Sequence, residues 1–144
     1  MKKYGGTIVV AIIVLLVVFL ISIPFINNHL ASSIATEIEQ IPLPEKTTYI
    51  ESVSRADKMV GNGNGIQYLG VVLIKSELSI EELNEFYAEY KDLKIEEQSS
   101  QQIEFIDHGK LLFDHEFDEN VNYYILYSWG NGIEPFSWLD IRGH

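Results

Sequence analysis

Residues 7–26 read TIVVAIIVLLVVFLISIPFI, a run of twenty residues without a charged side chain. A helix over this run is about 30 Å long, which matches the hydrocarbon thickness of a bilayer. A helix of a small soluble domain keeps a polar face, and this run has none. Lys2 and Lys3 precede it, and the next lysine or arginine is Lys46. The positive-inside rule therefore predicts one membrane-spanning segment, with residues 1–6 in the cytoplasm and the rest of the chain outside.

Cleaved signal peptides and type IV pilins also begin with an apolar helix. A signal peptide has a shorter apolar core, of about 7–15 residues. The small-residue sites Ala31-Ser32-Ser33 and Ser33-Ile34-Ala35 lie several residues beyond the run. Pilins carry a glutamate near the start of their helix, and the run contains none. We therefore interpret the segment as an uncleaved signal anchor of a single-pass cell-membrane protein, with cleavage as the alternative.

Residues 27–44 are predicted to form a helical neck and a proline-containing linker. Apolar residues recur at spacings of four, four and three, which makes one stripe on a helix: Leu30, Ile34, Ile38 and Ile41. Pro42 and Pro44 then end the helix. The stripe can dock on the following domain or pair with a second copy of the chain, and docking is the more common outcome.

Residues 45–144 are predicted to form one extracytoplasmic α+β domain. Ser79 and Glu82 form a capping box that begins a helix over residues 79–93. Residues 66–75 are apolar on both faces, as in a central strand. The other predicted strands are 47–54, 102–107, 110–117 and 121–129, with a short closing strand at 138–141. The predicted architecture is a two-layer β-β-α-β-β-β domain, an antiparallel sheet with one helix packed on it.

The charge of the predicted outer part limits its partners. Lys2 and Lys3 account for two of the ten basic residues, so residues 27–144 carry eight basic and 21 acidic side chains, a net charge of −13. This charge repels phosphate backbones and anionic headgroups, which argues against nucleic acid and against a peripheral lipid-binding face. It favours a basic partner or cations. The chain has no cysteine, which excludes disulfides and thiolate metal sites.

Several motifs resemble those of a recurrent small exported bacterial domain. The matching residues are Pro42-Leu43-Pro44-Glu45, Tyr68, residues 78–83 (LSIEEL) and Phe86-Tyr87. The turn at residues 61–65 and the end at residues 140–144 (DIRGH) extend the likeness. Over about residues 42–144, the chain resembles uncharacterised single-pass membrane-anchored proteins of Gram-positive bacteria. The resemblance implies a placement in the cell envelope and a small α+β outer domain, and it implies no activity.

The glycine-rich stretch Gly61-Asn62-Gly63-Asn64-Gly65 predicts a turn, because glycine and asparagine tolerate positive φ. A phosphate-binding loop would place a lysine and a hydroxyl beside a helix N-terminus, whereas a strand is predicted here. A tight hairpin turn is therefore the preferred interpretation. The number of glycines exceeds what a turn requires, so the close approach of a ligand or of another backbone is a second hypothesis.

Candidate residues for chemistry do not form a recognisable motif. Asp114, Glu116 and Asp118 share one face of a predicted strand, but the spacing of a calcium loop is absent, and a solvated acidic face is the preferred interpretation. His115 lies on the opposite face and is predicted to be a hydrogen-bonded core imidazole. The sequence contains no nucleophile elbow and no cysteine nucleophile. We therefore predict no catalytic residues, no metal, no cofactor and no enzymatic activity.

Aromatic residues are concentrated near the end of the sequence. Core packing explains most of them, but an exposed group would form an interaction patch, since aromatic residues are enriched at interface hot spots. The candidates are Tyr124, Trp129, Phe136 and Trp138. The leading functional hypothesis is a non-enzymatic envelope module that binds another envelope protein, or a second copy of itself, or serves as an accessory subunit. The alternative is an ectodomain that senses a ligand or a cation.

Overall fold

The computed structural model describes residues 5–130 and 136–144. The elements in chain order are α1 (Gly5–Glu39), β1 (Thr47–Asp57), β2 (Gln67–Ser76), α2 (Ile80–Phe86), β3 (Lys94–Glu97), β4 (Tyr123–Trp129) and a 3-10 turn (Ile141–Gly143). The strands form one antiparallel sheet in the order β1-β2-β4-β3. The predicted α+β class, with a long apolar helix and an antiparallel sheet, is confirmed.

Helix α1 is a single helix of 35 residues, about 52 Å long. By length and composition it can cross a membrane, and its most apolar window has a mean hydropathy of 3.3. Pro24 lies inside it, and residues 27–39 continue the same helix as the predicted neck. Pro42 and Pro44 follow its end, as predicted.

The second part of α1 packs on the sheet, so the predicted docking is confirmed. Ile38 joins a cluster with Val72, Ile74 and Leu126. Ala31 joins a second cluster with Tyr68. Residue numbers rise together along α1 and β2, so the two elements run in the same direction. Residues 27–39 are therefore an integral part of the domain core.

Helix α1 and the sheet approach each other closely at Gly70. A Cβ atom at this position would lie 2.4 Å from the backbone nitrogen of Ala35 and 2.8 Å from the carbonyl carbon of Ile34. The strand and the helix backbone therefore touch directly, which only a glycine allows here.

Helix α2 begins with the predicted capping box but ends at Phe86, earlier than the predicted residue 93. Beyond Tyr87, the backbone hydrogen bonds join residues three apart, including Tyr90 N to Tyr87 O and Leu93 N to Tyr90 O. Successive turns of three residues keep Tyr87, Tyr90 and Leu93 on one side, where they pack with Leu83. These four side chains therefore pack together although the helix is short, whereas Phe86 is exposed.

Two predicted strands, 102–107 and 110–117, are wrong. In their place, residues 98–122 form an irregular covering segment with one isolated bridge, between Gln102 and Leu112. The segment nevertheless buries Ile103, Ile106 and Phe113 against the face of the sheet opposite to α1. Strand β2 is therefore covered on both faces, as predicted.

Two further corrections concern the edges of the sheet. Strand β3 is absent from the prediction because three of its four residues, Lys94, Glu96 and Glu97, are charged. Charged residues are typical of a short edge strand, which they protect from pairing with other chains. The predicted strand at 138–141 is also wrong, because these residues form a turn that leads into the 3-10 turn.

The contact at Gly70 predicts the effect of one methyl group. Gly70→Ala should lower the free energy of unfolding by about 1–3 kcal/mol, because the new Cβ forces α1 away from β2. The measurement is denaturant unfolding of the full chain in detergent micelles. Gly63→Ala is the matched control, since nothing lies within 4 Å of its Cβ position. Equal effects of the two substitutions would contradict the packing described.

The hydroxyl of Tyr87 is the one buried side-chain polar atom of the described residues without a hydrogen-bond partner. Burial raises the pKa of Tyr87 to about 12. Tyr87→Phe should leave the free energy of unfolding unchanged or raise it by up to about 1 kcal/mol, because no hydrogen bond is lost. Tyr124→Phe is the control, since the Tyr124 hydroxyl donates to the Leu78 carbonyl at 2.8 Å. It should be the more destabilising of the two in the same unfolding assay.

Candidate functional site

The four predicted patch residues do not form a common surface. Tyr124 is only 4% exposed and packs on the α1 face of the sheet. Trp129 packs on the opposite face, with its ring 5.9 Å from that of Phe105. Phe136 contacts Phe19 of α1, with ring centroids 6.0 Å apart. Of the four side chains, Trp138 alone is largely exposed.

The patch prediction is therefore wrong as a group of four residues. Tyr124 and Trp129 are separated by an odd number of positions along β4, so strand alternation places them on opposite faces. Both side chains therefore pack in the core, one on each face of the sheet.

The glycine-rich stretch forms a turn that joins β1 to β2, as predicted. Two of its glycines have positive φ. Gly61 and Gly65 have φ values of +71° and +94°. The Gly65 amide donates to the carbonyl of Gly143 at 3.1 Å. A Cβ atom on Gly143 would lie 2.6 Å from the carbonyl carbon of Gly65. The backbone of residues 136–144 therefore lies directly on the turn, while a ligand at this turn stays a prediction.

A buried polar cluster lies where this segment meets α1. Its members are Asn27, Tyr68, Asp140 and Arg142. The Tyr68 hydroxyl donates to Asn27 Oδ1 at 2.8 Å, and Asn27 Nδ2 donates to Asp140 Oδ2 at 2.8 Å. Arg142 binds both carboxylate oxygens of Asp140, at 2.9 and 2.7 Å. The cluster therefore connects α1, β2 and residues 136–144 through charge-assisted bonds.

The side chain of Asp140 is fully buried, and its carboxylate is charged. Burial alone would raise the pKa of Asp140, but hydrogen bonds from Arg142 and Asn27 outweigh it and lower the pKa to about 2. Arg142 also reaches α1, donating to Asn28 Oδ1 at 2.8 Å.

The sequence pattern did not predict this cluster, although it contains one signal of it. Asn27 precedes Leu30 by three positions and Ala31 by four, so it continues the apolar stripe of the helix. A polar side chain on a buried stripe requires a hydrogen-bond partner inside the protein.

An open groove of about 760 Å³ lies at the Ser76 end of β2. Tyr123 and Tyr124 lie in it. Four acidic residues line it: Glu81, Glu97, Asp118 and Glu119. The amide and side chain of Asn120 donate to Asp118 and lower its pKa. The groove therefore has a negative potential that favours cationic groups.

The acidic residues predicted to share a face do not converge on a metal ion. Within residues 5–130 and 136–144, no three or more His, Asp or Glu side chains are placed to hold one. The carboxylate of Glu51 accepts hydrogen bonds from the backbone amides of Asp114 and His115, which anchors the covering segment to β1. The predicted hydrogen bond of His115 is confirmed, because Nε2 lies 3.0 Å from the Tyr123 hydroxyl, although the imidazole is only half-buried.

Comparison of the chain with protein-family models, with curated proteins and with solved structures finds no match.

The polar cluster predicts an acid-sensitive component of stability. The pKa of Asp140 is about 2 in the folded protein and 3.8 in its ordinary state. The stabilisation is therefore complete above about pH 4 and is lost as the pH falls toward about 2, because the unfolded state binds the proton first. Asp140→Asn should lower the free energy of unfolding by about 2 kcal/mol at neutral pH and remove this acid-dependent component.

The measurement is the free energy of unfolding of the full chain in micelles across this pH range. Asp114→Asn, at an exposed position, removes the same formal charge and serves as the control. If the two variants show the same pH dependence, the Asp140–Arg142 pair does not stabilise the fold as described.

Proposed function

We propose that the chain is a single-pass protein of the cell membrane, with residues 1–6 in the cytoplasm and residues 27–144 outside. Its outer domain acts as a non-enzymatic module of the cell envelope that binds a protein partner or serves as an accessory subunit. The observation that carries this proposal is the continuity of α1, which is the candidate membrane span and also part of the domain core. The sequence resemblance to membrane-anchored proteins of Gram-positive bacteria agrees with this placement.

The packing of α1 supports retention of the anchor. Cleavage after Ser33 or Ala35 would remove Asn27 and Ala31, which are fully buried in the domain. The hydroxyl of Tyr68 and the carboxylate of Asp140 would then lose their Asn27 partner inside the fold. Unpaired polar groups are costly to bury, so an uncleaved anchor is favoured.

The fold also suits the presentation of a surface at a fixed distance from the bilayer. Helix α1 continues for thirteen residues from Asn27 to Glu39, about 20 Å, without a flexible joint between span and domain. The acidic groove lies at the Ser76 end of β2, whereas Asn27 packs near the Gln67 end. The groove therefore faces away from the proposed membrane.

The chemistry of the groove favours a cationic partner over catalysis. It is open, and four carboxylates line it without a basic side chain among the lining residues. The net charge of −13 for residues 27–144 adds a long-range attraction for a basic segment of another envelope protein.

Crosslinking in the native membrane tests the proposal. A photoreactive amino acid at Asn122, which lines the groove, should yield a discrete crosslinked protein that mass spectrometry identifies. Glu119→Lys should reduce the yield several-fold by charge repulsion. Glu104→Lys makes the same charge change outside the groove and should leave the yield unchanged. Equal yields from the two variants, or no crosslinked protein at all, would count against a partner at the groove.

The anchor is tested in the same membranes. The full-length chain should keep its own N-terminus and stay in the pellet after a carbonate wash. Protease added to intact cells should remove residues 27–144 and leave an N-terminal tag intact. A soluble product beginning near residue 34 or 36 would establish cleavage instead.

A further inference from the structure

Exposed apolar side chains outside α1 are concentrated in residues 136–144. Trp138 is 63% exposed, Leu139 52% and Ile141 82%. These three side chains lie within four positions, and Ile141 is the most exposed large apolar residue among those described. A water-exposed cluster of this kind is unfavourable unless another apolar phase covers it.

The contacts of residues 136–144 with α1 show which part of the helix this segment lies against. The ring of Phe136 contacts Phe19, Arg142 donates to the Pro24 carbonyl at 3.3 Å, and Asn27 binds Asp140. These contacts extend over nine residues of helix, about 13 Å. Phe19 lies seven residues before the end of the apolar run, about 10 Å inside it. The segment therefore lies beside the last turns of the proposed span.

The charge of the segment is compatible with lipid although the domain as a whole is acidic. Its acidic and basic side chains, Asp140 and Arg142, neutralise each other at 2.7 Å. The adjoining turn at residues 61–65 carries no charge. The net charge of −13, which disfavours a lipid-binding face, describes residues 27–144 as a whole and not this end of the domain.

We propose that residues 136–144 form a foot that lies in the outer headgroup–hydrocarbon boundary of the bilayer that α1 crosses. Trp138, Leu139 and Ile141 contact lipid there, and the indole of Trp138 suits the interface because it is amphipathic. The Asp140–Arg142 pair lies on the protein side of the foot, against Asn27. The irregular backbone keeps the foot at the boundary, because unpaired peptide groups are excluded from the hydrocarbon.

A second copy of the chain is a weaker candidate for covering this surface. The surface of three side chains is too small for a stable dimer interface, which buries roughly 800 Å² of surface on each partner. The contact of Phe136 with Phe19 also makes the foot continuous with the proposed lipid-facing surface of α1. The helix and the foot together hold the domain to the membrane at two points and fix its rotation about the axis of α1.

Single-cysteine labelling tests the foot in the full chain, which has no native cysteine. Ile141→Cys, Leu43→Cys and Leu15→Cys are each labelled with the fluorophore NBD and reconstituted in phosphatidylcholine vesicles. Leu43 is the matched control, since it is an exposed apolar residue beyond the far end of α1. Dithionite in the outer buffer should bleach the Leu43 label rapidly and the Ile141 label several-fold more slowly.

The Leu15 label separates this inference from the proposed function on which it rests. Leu15 is 69% exposed within the apolar run, so its label should be protected if α1 crosses the bilayer. Protection at Leu15 with rapid bleaching at Ile141 overturns the foot alone. Rapid bleaching at all three positions overturns the membrane anchor as well.

Tryptophan quenching distinguishes lipid from protein as the covering phase. The chain has two tryptophans, so Trp129→Phe leaves Trp138 as the sole emitter, and Trp138→Phe leaves Trp129 as the control. Lipids brominated on their acyl chains should quench Trp138 strongly and Trp129 weakly, and aqueous iodide should quench Trp138 weakly. Strong quenching of Trp138 by iodide overturns the proposal, and so does protection from both quenchers, which would indicate a protein contact.

Discussion

The direct contact of the α1 backbone with β2 is the constraint on which the rest of the structure depends. Gly70 and the alanines at 31 and 35 remove the side-chain volume that normally separates a helix from a sheet. The close approach brings Ile38 into the cluster of Val72 and Ile74, and it places Asn27 within reach of Tyr68. The acidic domain therefore has no complete core without the second part of a helix whose first part is suited to lipid.

The sequence predicted those parts of the fold that depend on local pattern. The apolar run, the capping box at Ser79 and the two-sided burial of β2 follow from composition and periodicity, and all three are present. The alternation around His115, half-buried between the exposed Asp114 and Glu116, was also correct, but the predicted strand was not. Burial of every second residue requires only that an extended chain lies on a face of the sheet. A strand must also pair with the edge of another strand, and β3 already pairs with the free edge of β4.

The candidate sites were predictable only in part, because each depends on contacts between distant residues. Asn27 and Asp140 are 113 positions apart, so no local pattern connects them. The aromatic patch was wrong because aromatic composition does not determine which face of β4 a residue occupies, while position along the strand does. The glycine-rich turn was predicted as a turn, and the chain that lies against it proved to be residues 136–144.

The wide separation of these residues along the chain has a consequence for biogenesis. In the proposed topology, helix α1 leaves the translocation machinery first, whereas Asn27 lacks its partner at position 140 until 113 further residues have been synthesised and exported. Contacts of high sequence separation form slowly because the loop between them must close first. In that topology, the incomplete domain leaves the domain-facing side of α1 uncovered, and its assembly ends beside the helix that entered the membrane first.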